Sequence, residues 1–559
     1  MLLSNMELLA TAPGGVAKLR ELILTLAVQG KLVPQDAADE PAGVLLQKIR
    51  AEKDRLIAEG KIKRDKPLAE IAEEEKPFEL PQGWEWARLA DVVRVLNGRA
   101  YNKQELLEVG PVPVLRVGNL FTSNHWYYSD LQLEPDKYCE QGDLLYAWSA
   151  SFGPFVWEGP KAIYHYHIWK LQPWNPSFFN TGFFHKFLAE KTAEIKAAGH
   201  GVSMVHMTKE KMEKIVVPYP PLAEQSRIVT RVEALMRLCD ALEAKVQLEA
   251  AQHAQLVNTL LGTLTASTTP EELAANWQRV AQHFDLLLDR PEAIDALEQT
   301  LLQLAVRGLL VPQDPTDEPA SALLQKIRAE KDRLIATGQI KRDKPLPPIT
   351  DEEKPFELPV GWEWVRMGAV VNASEAGWSP TCIGSPRRQG LWGVLKVSAV
   401  SWGEFDATAN KELPSDLVPR PEYEVRDGDF LLSRANTAEL VARSVVVEQA
   451  EPKLMLSDKI IRLAVSSQMN RSFLNMANNA SYAREHYAVN ASGTSSSMKN
   501  VSREVVLALP VPLPPLAEQS RIVTRVTALR RLCAYLRQRL AERQSVQARL
   551  AEALVQEVA

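Results

Sequence analysis

The clearest pattern of apolar positions along the chain is a heptad spacing that occurs twice. Steps of four and three residues connect Ile228, Val232, Leu235, Cys239, Leu242 and Val246, and again Ile522, Val526, Leu529, Cys533, Leu536 and Leu540. Such spacing places six residues on one seam of a helix. Each helix is predicted to begin near Leu222 or Leu516 and to extend about 60 Å. The simplest partner for each seam is the other, with both cysteines as small buried residues.

Between these helices the pattern changes to short apolar runs separated by Gly and Pro, in segments 77–219 and 355–513. Of the chain's 39 aromatic residues, 24 lie between residues 77 and 219. Aromatic and β-branched runs bounded by turn signals are typical of strands. The run from Ile163 to Ile168 predicts one strand along which His165 and His167 alternate. Both segments are therefore predicted to be mixed, strand-rich domains.

The two segments differ in sequence but keep landmarks in the same order. Val114-Leu-Arg-Val117 matches Val394-Leu-Lys-Val397, and Gly142-Asp-Leu-Leu145 matches Gly428-Asp-Phe-Leu431. In the second pair a Gly-Asp turn signal leads into a short apolar run, as at the start of a strand. A shared skeleton is predicted.

The segments that flank these domains are repeated almost without change. Residues 32–67 recur as 310–345 with 30 of 36 positions identical, and PPLAEQSRIVTRV occurs at 220–232 and 514–526. Uniform divergence after a duplication would have blurred flanks and middles alike. Matching flanks suit a pseudo-twofold scaffold or two copies of one partner, whereas different middles suit two different targets.

The longer repeat predicts a highly charged helix between Asp39 and Gly60, and again between Asp317 and Gly338. An acidic N-cap candidate, an early Pro and a closing Gly bracket each copy. Its charged face fits either solvated surface or a partner-binding surface, and the sequence leaves both open.

Composition indicates a globular chain of several domains. Its 559 residues exceed what one hydrophobic core organises, and 46% of them are hydrophobic. The four cysteines form no Cys-x-x-Cys pair, so a zinc knuckle and a disulfide framework are both disfavoured and a reducing cytosol is favoured. Neither a signal peptide nor an apolar stretch of roughly 18 residues is found, so no membrane association is expected.

Motifs of DNA-modifying and DNA-cleaving enzymes are incomplete. Asn175-Pro-Ser-Phe178 only half-resembles the Asn-Pro-Pro-Tyr/Phe loop of adenine methyltransferases, and no Gly-rich strand-turn-helix precedes it. Pro135-Asp136 lacks a Glu-x-Lys, and no Gly-x-x-x-x-Gly-Lys-Ser/Thr loop exists for ATP phosphates. His165 and His167 lack a nearby carboxylate or Cys, so aromatic packing is predicted rather than a metal site. A methyltransferase and a nuclease are therefore both disfavoured.

Three repeated motifs together resemble the DNA-specificity (S) subunit of type I restriction-modification systems. They are Leu-Ala-Val-x-Gly-x-Leu-Val-Pro-Gln at 26–35 and 304–313, Leu-Pro-x-Gly-Trp-Glu-Trp at the start of each middle, and PPLAEQSRIV at its end. The resemblance covers nearly the whole chain. It implies that each middle is a target recognition domain reading one half of a split DNA site, while the long helices set the gap between the halves. It also implies that the chain itself is not an enzyme but a non-catalytic subunit.

The same resemblance implies a set of partners. These are double-stranded DNA, two methyltransferase (modification) subunits docked on the repeated scaffold, and restriction motor-nuclease subunits in the full complex. No cofactor is expected on this chain, because S-adenosylmethionine, ATP and Mg²⁺ belong to the partner subunits. A cytoplasmic location is implied.

The expected fold class is α+β, with two mixed, strand-rich target recognition domains separated by two long antiparallel helices in a pseudo-twofold internal repeat. The predicted domains are an N-terminal repeated helical segment (1–76), target recognition domain 1 (77–219), a central repeated region with a long spacer helix (220–298), a second copy of the helical segment (299–354), target recognition domain 2 (355–513) and a C-terminal repeated region with a long spacer helix (514–559).

Charge alone does not indicate DNA binding. Residues 77–219 hold 14 Lys and Arg against 15 Asp and Glu, and residues 355–513 hold 16 against 17. A DNA-binding domain commonly has a basic surplus, so any electrostatic attraction must come from local clusters.

Candidate base contacts are polar side chains where the shared skeleton gives way to different loops. In the first domain they are Arg99, Tyr101, Lys103, Arg116, Asn119, Trp148, Ser149, His200, Ser203 and His206. In the second they are Arg387, Arg388, Lys396, Ser398, Arg434, Asn436, Thr437, Ser496, Lys499 and Asn500. Trp148 and Arg434 are the most informative pair, because both follow a Gly-Asp strand by the same count and only Arg can bind guanine bidentately.

Two other functions remain open at this point. One is the specificity subunit of a related system whose methyltransferase and nuclease are fused in one partner chain. The other is a coiled-coil adaptor between proteins, which would account for the helices but not for two large dissimilar domains.

Overall fold

The computed structural model describes residues 6–62, 68–149, 152–198, 207–267, 269–401, 403–495 and 498–558. The chain divides into two compact units, Met1–Glu249 with Arg543–Ala559, and Ala250–Glu542. Each unit contains one strand-rich domain together with repeated segments that flank it. The predicted mixture of helix and strand is confirmed.

The first unit contains the first copy of the repeated blocks and the first strand-rich domain. Its helices are α1 (Met6–Thr11), α2 (Gly15–Val28), α3 (Ala42–Ala58), α4 (Leu89–Val92), α5 (Val117–Phe121), α6 (Thr181–Ala198), α7 (Lys209–Glu213) and α8 (Leu222–Ala266), whose last turns belong to the second unit. Its strands are β1 (Glu85–Arg88), β2 (Val93–Asn97), β3 (Val112–Leu115), β4 (Tyr127–Ser129), β5 (Tyr138–Cys139), β6 (Leu144–Ala147), β7 (Gly153–Val156), β8 (Ala162–Tyr164), β9 (Ile168–Pro173) and β10 (Val216–Tyr219).

The second unit repeats this plan. Its helices are α9 (Pro270–Gln282), α10 (Phe284–Leu287), α11 (Pro291–Val306), α12 (Ala320–Ala336), α13 (Met367–Val370), α14 (Arg471–Asn479), α15 (Ser481–Asn490), α16 (Arg503–Ala508) and α17 (Leu516–Val558), whose last turns belong to the first unit. Its strands are β11 (Glu363–Arg366), β12 (Val371–Ala376), β13 (Gly393–Leu395), β14 (Asn410–Glu412), β15 (Phe430–Ser433), β16 (Ala435–Asn436), β17 (Ser444–Val446), β18 (Leu454–Met455), β19 (Ile460–Val465), β20 (Ser492–Ser495), β21 (Met498–Asn500) and β22 (Pro510–Leu513).

The sheets confirm the shared skeleton. The main sheet has the order β2-β9-β6-β7 in the first domain and β12-β19-β15-β17 in the second. A second sheet pairs β3 in parallel with β8, and its counterpart pairs β13 in parallel with β18. A short ribbon closes each domain, with β1 against β10 and β11 against β22. The second domain adds a sheet of order β16-β21-β20.

The Gly-Asp landmarks start buried strands, as predicted. Gly142 has a φ of +92° and Gly428 a φ of +80°, a left-handed conformation that favours glycine. Strands β6 and β15 follow two residues later, and every residue of both is buried. The turn therefore directs each strand through the core of its domain.

The repeated PPLAEQ motif stabilises its own domain from within. Glu224 is fully buried, and its carboxylate accepts hydrogen bonds from Trp84 Nε1 at 3.0 Å and Gln35 Nε2 at 3.1 Å. Glu518 accepts the same pair of bonds from Trp362 and Gln313, at 2.9 and 3.1 Å. Burial raises the pKa of both carboxyls. This motif therefore connects the long helix to the repeated block and to the first strand of the domain.

The two long helices begin at Leu222 and Leu516, as predicted, and are 45 and 43 residues long. Their seams differ from the expectation that each packs on the other. Ile228, Val232 and Cys239 share one buried cluster with residues of α2. In the second unit Cys533 and Leu540 share a cluster with α11 and with Val257, Leu261 and Leu264 of α8. The heptad spacing predicts a buried stripe but does not say which apolar helix covers it.

The charged helices are present as α3 and α12, and each ends at a left-handed Gly, Gly60 or Gly338. The predicted acidic N-caps are wrong. Asp39 bonds with Arg227 at 2.6 Å, Asp317 bonds with Arg521 at 2.6 Å, and Pro41 and Pro319 occupy the cap positions. These carboxylates join the repeated block to the long helix instead of starting α3 and α12.

Candidate nucleic-acid interface

The residues that follow β6 and β15 occupy matched places in the two domains. Trp148 donates its backbone N–H to the carbonyl of His167 at 3.0 Å, and Arg434 donates its backbone N–H to the carbonyl of Lys459 at 2.7 Å. In both cases the acceptor is the residue just before the neighbouring strand, β9 or β19. The same frame therefore presents an indole in one domain and a guanidinium in the other.

A glycine fixes this end of each main sheet. A Cβ at Gly98 would lie 2.4 Å from the carbonyl oxygen of Tyr164, and one at Gly377 would lie 2.0 Å from that of Leu456. The residue after each glycine donates its N–H to that same carbonyl, at 3.1 and 2.9 Å. Only glycine permits so close an approach.

The third matched element is the strand that ends at Leu115 or Leu395. Arg116 and Lys396 follow it, and each precedes a short helical turn, α5 or the 3-10 turn Val397–Val400. In the second domain this turn lies against β15. Two strand ends and one turn thus converge at the same end of the sheet.

In the first domain the residues near this end are mainly aromatic. The Trp148 ring stacks on Trp169 with 5.6 Å between centroids, and its Nε1 donates to the carbonyl of Tyr166 at 2.9 Å. His167 lies edge-on to Trp148 at 5.0 Å, and Tyr166 is 39% exposed. His165 lies 4.8 Å from His167. The surface offers ring faces and edges for contact.

The histidines lie in the turn between β8 and β9, so the prediction of one continuous strand from Ile163 to Ile168 is wrong. The chain turns after Tyr164. At this point the backbone of Gly98 packs closely against the carbonyl groups of Tyr164 and His165. Burial lowers the pKa of His165 to about 4, with a further contribution from the charge of Arg116, and burial also lowers the pKa of His167. Both rings therefore bind a proton less readily than a free imidazole does. Among the described residues no group of three or more His, Cys, Asp and Glu could hold a metal.

Four other predicted contacts of the first domain interact with residues of the same domain. Arg99 pairs with Glu105 at 2.7 Å. Asn119 donates to the carbonyl of His125 at 2.7 Å, and Arg116 lies over the ring of Tyr127 at 4.3 Å. Tyr101 is buried enough to raise the pKa of its phenol. These side chains position the loops around the aromatic surface.

Lys103 is exposed and Ser149 is half-buried beside that surface. His200, Ser203, His206 and, in the second domain, Ser496 lie outside the residues that the structure describes.

In the second domain several predicted contacts serve internal structure. Arg387 donates to the carbonyls of Leu391 and Pro452 and pairs with Glu451. Arg388 forms two bonds, at 2.8 and 3.0 Å, with the buried carboxylate of Glu412. Both guanidiniums therefore form hydrogen bonds within the domain, at the base of a loop.

The remaining predicted residues of this domain lie around one hairpin. Asn436 donates to Ser401 Oγ at 2.9 Å and accepts from the backbone of Thr437. Lys499 and Asn500 lie on β21, which pairs with β16, and Lys499 Nζ donates to the carbonyl of Gly493. Ser398 is exposed on the turn before Ser401. The structure thus brings these polar residues to the same strand ends.

Sequence reasoning missed Tyr166 and Lys459. Each lies in the turn before β9 or β19, and Lys459 forms a 3.6 Å ion pair with Asp458. The sequence did contain a signal for this turn. Gly98 and Gly377 each follow a strand, and each glycine packs closely against the backbone of this turn. The two turns have different sequences, so no alignment of the halves brought out the match.

Comparison with known proteins gives a consistent family. Residues 81–252 match the family model described as the type I restriction modification DNA specificity domain. The EcoEI type I restriction enzyme specificity subunit of Escherichia coli is 40% identical over 554 residues, covering 97% of this chain and 93% of that protein. The EcoAI specificity subunit of Escherichia coli is 35% identical, with coverage of 97% and 93%.

Solved structures resemble the chain more distantly. One comes from a study described as "Structural basis underlying complex assembly and conformational transition of the type I R-M system", with a TM-score of 0.48, 18% identity, and coverage of 86% of this chain and 99% of that one. Another is the HsdS subunit from Thermoanaerobacter tengcongensis, with a TM-score of 0.36, 18% identity and coverage of 87% and 98%. No helix among the described residues is long and apolar enough to cross a membrane.

Proposed function

This chain belongs to the family of type I restriction enzyme specificity subunits, and from that premise we propose that each strand-rich domain reads one half of a bipartite DNA site. The chain is a non-catalytic component of its restriction-modification system. It supplies sequence selection, while partner subunits supply the chemistry.

One observation carries this assignment of roles. The two domains keep the same backbone bonds at the end of the main sheet, but place Trp148 and Arg434 at the matched position. A rigid frame with variable side chains is what sequence readout needs, because base edges are distinguished by donors, acceptors and apolar groups. Two different surfaces on one frame should read two different half-sites.

The long helices are proposed to set the gap between the half-sites. With 45 and 43 residues, each is about 65 Å long. Equivalent faces of a DNA duplex recur about every 34 to 36 Å, so a spacer of fixed length selects a fixed number of base pairs. A change in helix length should alter the gap and leave both half-sites unchanged.

The partners follow from the same proposal. We expect double-stranded DNA, two methyltransferase subunits on the repeated scaffold, and motor-nuclease subunits joined through them. S-adenosylmethionine, ATP and Mg²⁺ would be bound by those partners, and the complex would act in the cytoplasm. Two near-identical scaffold copies support two equivalent modification subunits, since each copy repeats the same buried bonds.

A domain exchange tests the proposal. The chain would be purified with its modification subunits, and methylated bases would be mapped in DNA of random sequence. Replacing 77–219 with the corresponding domain of a relative should change one half of the methylated motif and leave the other half and the gap as they were. An unchanged motif would show that this domain does not select sequence, and methylation by the chain alone would contradict its role as a non-catalytic subunit.

A further inference from the structure

Resting on the proposed function, we propose that Arg434 is the specificity-determining residue of the second domain and that it recognises guanine in that domain's half-site. Trp148 at the matched position makes the first domain read its half-site by a different contact. The proposal depends on three observations: which guanidiniums are available, how the backbone of residue 434 is held, and what the matched residue can donate.

Most arginines near the strand ends of the second domain form hydrogen bonds or ion pairs with other residues of the chain. Arg462 donates to the carbonyl of Glu424 and Arg503 pairs with Asp343. Arg484 is buried and donates to the carbonyls of Val441 and Ala442. Arg434 differs, because its side chain is exposed and forms no hydrogen bond or ion pair within the part of the chain that the structure describes.

The backbone of Arg434 is fixed although its side chain is free. Its N–H donates to Lys459 at 2.7 Å, and its carbonyl accepts from the N–H of Val501 at 3.0 Å. Residue 434 also connects strands β15 and β16, each of which is paired. A guanidinium on so rigid a base loses little freedom when it docks, which favours recognition of a planar, bidentate partner.

The hairpin that continues from Arg434 is also held from inside the domain. Ser433 Oγ donates to the carbonyl of Leu440, and the N–H of Ala442 donates to the carbonyl of Ser433. Arg484 clamps the far side of the loop at Val441 and Ala442, the latter with a φ of +59°. The loop therefore supports Arg434 as part of a packed element.

The surroundings of Arg434 favour an electronegative ligand. Lys459 contributes the carbonyl that holds Arg434 and carries a half-exposed ammonium group. Lys396 precedes the turn that lies against β15. Asp458 lies 3.6 Å from the Lys459 ammonium, so Lys396 and Arg434 are the basic residues on these elements without an acidic partner in the described part of the chain, in a domain whose overall charge is nearly balanced. The major-groove edge of guanine, with acceptors O6 and N7, is the most common bidentate partner of arginine.

Trp148 cannot make this contact. The only donor of its indole, Nε1, is already bonded to the carbonyl of Tyr166 at 2.9 Å, and its ring is stacked on Trp169. The first domain can therefore offer ring edges and apolar surface at this position, but no bidentate donor.

The test is to map methylation by the complex of this chain with its modification subunits, using Arg434→Ala and Arg434→Lys. Both variants should lower the preference for guanine at one position of the second half-site by about ten- to a hundredfold, because lysine cannot form the fork of two bonds. The first half-site and the gap should not change. Arg426→Ala is the matched control, since Arg426 is exposed at the opposite end of β15 and its loss should leave the motif intact.

Two results would overturn the proposal. One is an unchanged second half-site in Arg434→Ala. The other is an equal loss at every sequence with a weaker salt dependence, the behaviour of a phosphate contact. Unchanged thermal unfolding of both variants would show that the domain is folded. If exchange of the whole second domain (355–513) alters the motif but Arg434→Ala does not, only the role of Arg434 fails. If neither change alters the motif, the proposed function fails.

Discussion

Arg20 of α2 donates a 3.0 Å hydrogen bond to Glu243 of α8, and the matched pair in the other unit has the opposite arrangement of charges. There Arg537 of α17 bonds with Glu298 of α11 at 2.9 Å. Glu298 occupies the position of Arg20 in the repeat, and Arg537 that of Glu243. Because the charges are exchanged, each long helix is complementary only to the short helix of its own unit. Such opposition to the wrong pairing is a means of specificity between near-identical elements.

This exchange predicts a rescue experiment. Arg20→Glu places like charges together and should lower the free energy of unfolding by about 0.3–1 kcal/mol. The midpoint of denaturant unfolding should fall accordingly. Glu243→Arg in the same chain should restore part of that stability, because Asp240, which also bonds with Arg20 at 2.7 Å, stays acidic. Failure of the double variant to recover any stability would show that the pair does not guide packing. Lys245→Glu, on the exposed face of the same helix, is the control and should have a smaller effect.

The buried carboxylate of each PPLAEQ motif should be essential for stability. Glu224→Ala leaves the Trp84 indole N–H without its acceptor and removes one of the bonds that Gln35 Nε2 donates, which should cost about 1–3 kcal/mol of unfolding free energy. Glu233→Ala, on an exposed face of the same helix, should have almost no effect. Urea unfolding followed by tryptophan fluorescence measures both. Equal stability of the two variants would contradict the structural role of the motif.

Stability should fall in acid through the pairs that connect each repeated block to its domain. The bonds from Arg366 hold the pKa of Glu353 at about 2, below its ordinary value of 4.5. The folded state therefore binds fewer protons, so this contribution is complete above about pH 5 and is lost as the pH falls toward 2. Glu353→Gln should make the unfolding midpoint less dependent on pH in that range. The same pH dependence in wild type and variant would contradict this assignment.

Gly98 and Gly377, which pack against the turn before β9 or β19, should not tolerate a side chain. Gly377→Ala would place Cβ 2.0 Å from the Leu456 carbonyl, so the second domain should lose its native packing. Gly262→Ala is the matched control, because no atom lies within 4 Å of its Cβ position and it lies within α8. That variant should be neutral or more stable by up to about 1 kcal/mol. Circular dichroism and thermal unfolding distinguish the two results.

The clamp on the hairpin of the second domain should limit its opening. Arg484 bonds to the carbonyls of Val441, Ala442 and Asn478, and burial lowers the pKa of its guanidinium to about 10. Arg484→Met should remove the donor to the carbonyls of Val441 and Asn478, while Ala442 keeps its bond from Asn478 Nδ2, and should increase proteolytic cleavage between Arg434 and Arg443. Arg426→Ala is the control and should leave the cleavage rate unchanged. Equal protection of the hairpin in both variants would contradict the clamp.

Local signals predicted much of the scaffold. The repeat, the two long helices and their starting residues follow from spacing of three and four residues and from Pro-Pro pairs. Strands β6 and β15 follow from Gly-Asp turns. The prediction around His165 was wrong for a local reason, since aromatic alternation is compatible both with one strand and with a tight turn between two strands. The close packing of the Gly98 backbone against this segment selects the turn rather than the single strand.

The candidate site was predicted only in part, because availability of a side chain is a tertiary property. Arg387, Arg388 and Arg434 are equally promising as residues in a loop. The folded domain bonds the first two to its own carbonyls and carboxylates, whereas the side chain of the third has no hydrogen bond or ion pair within the described residues. Lys459 was missed because it reaches the site by strand pairing with a distant segment.

By itself the sequence determined that the chain is a duplicated scaffold around two unlike domains, since repeats and helical periodicity are properties of neighbouring positions. The tertiary structure alone decided which helix covers each seam, which carboxylates are buried, and which of the predicted arginines are bonded within their own domain. Those outcomes depend on contacts between residues far apart in the chain, whose geometry is set by packing and hydrogen bonding together rather than by any local pattern.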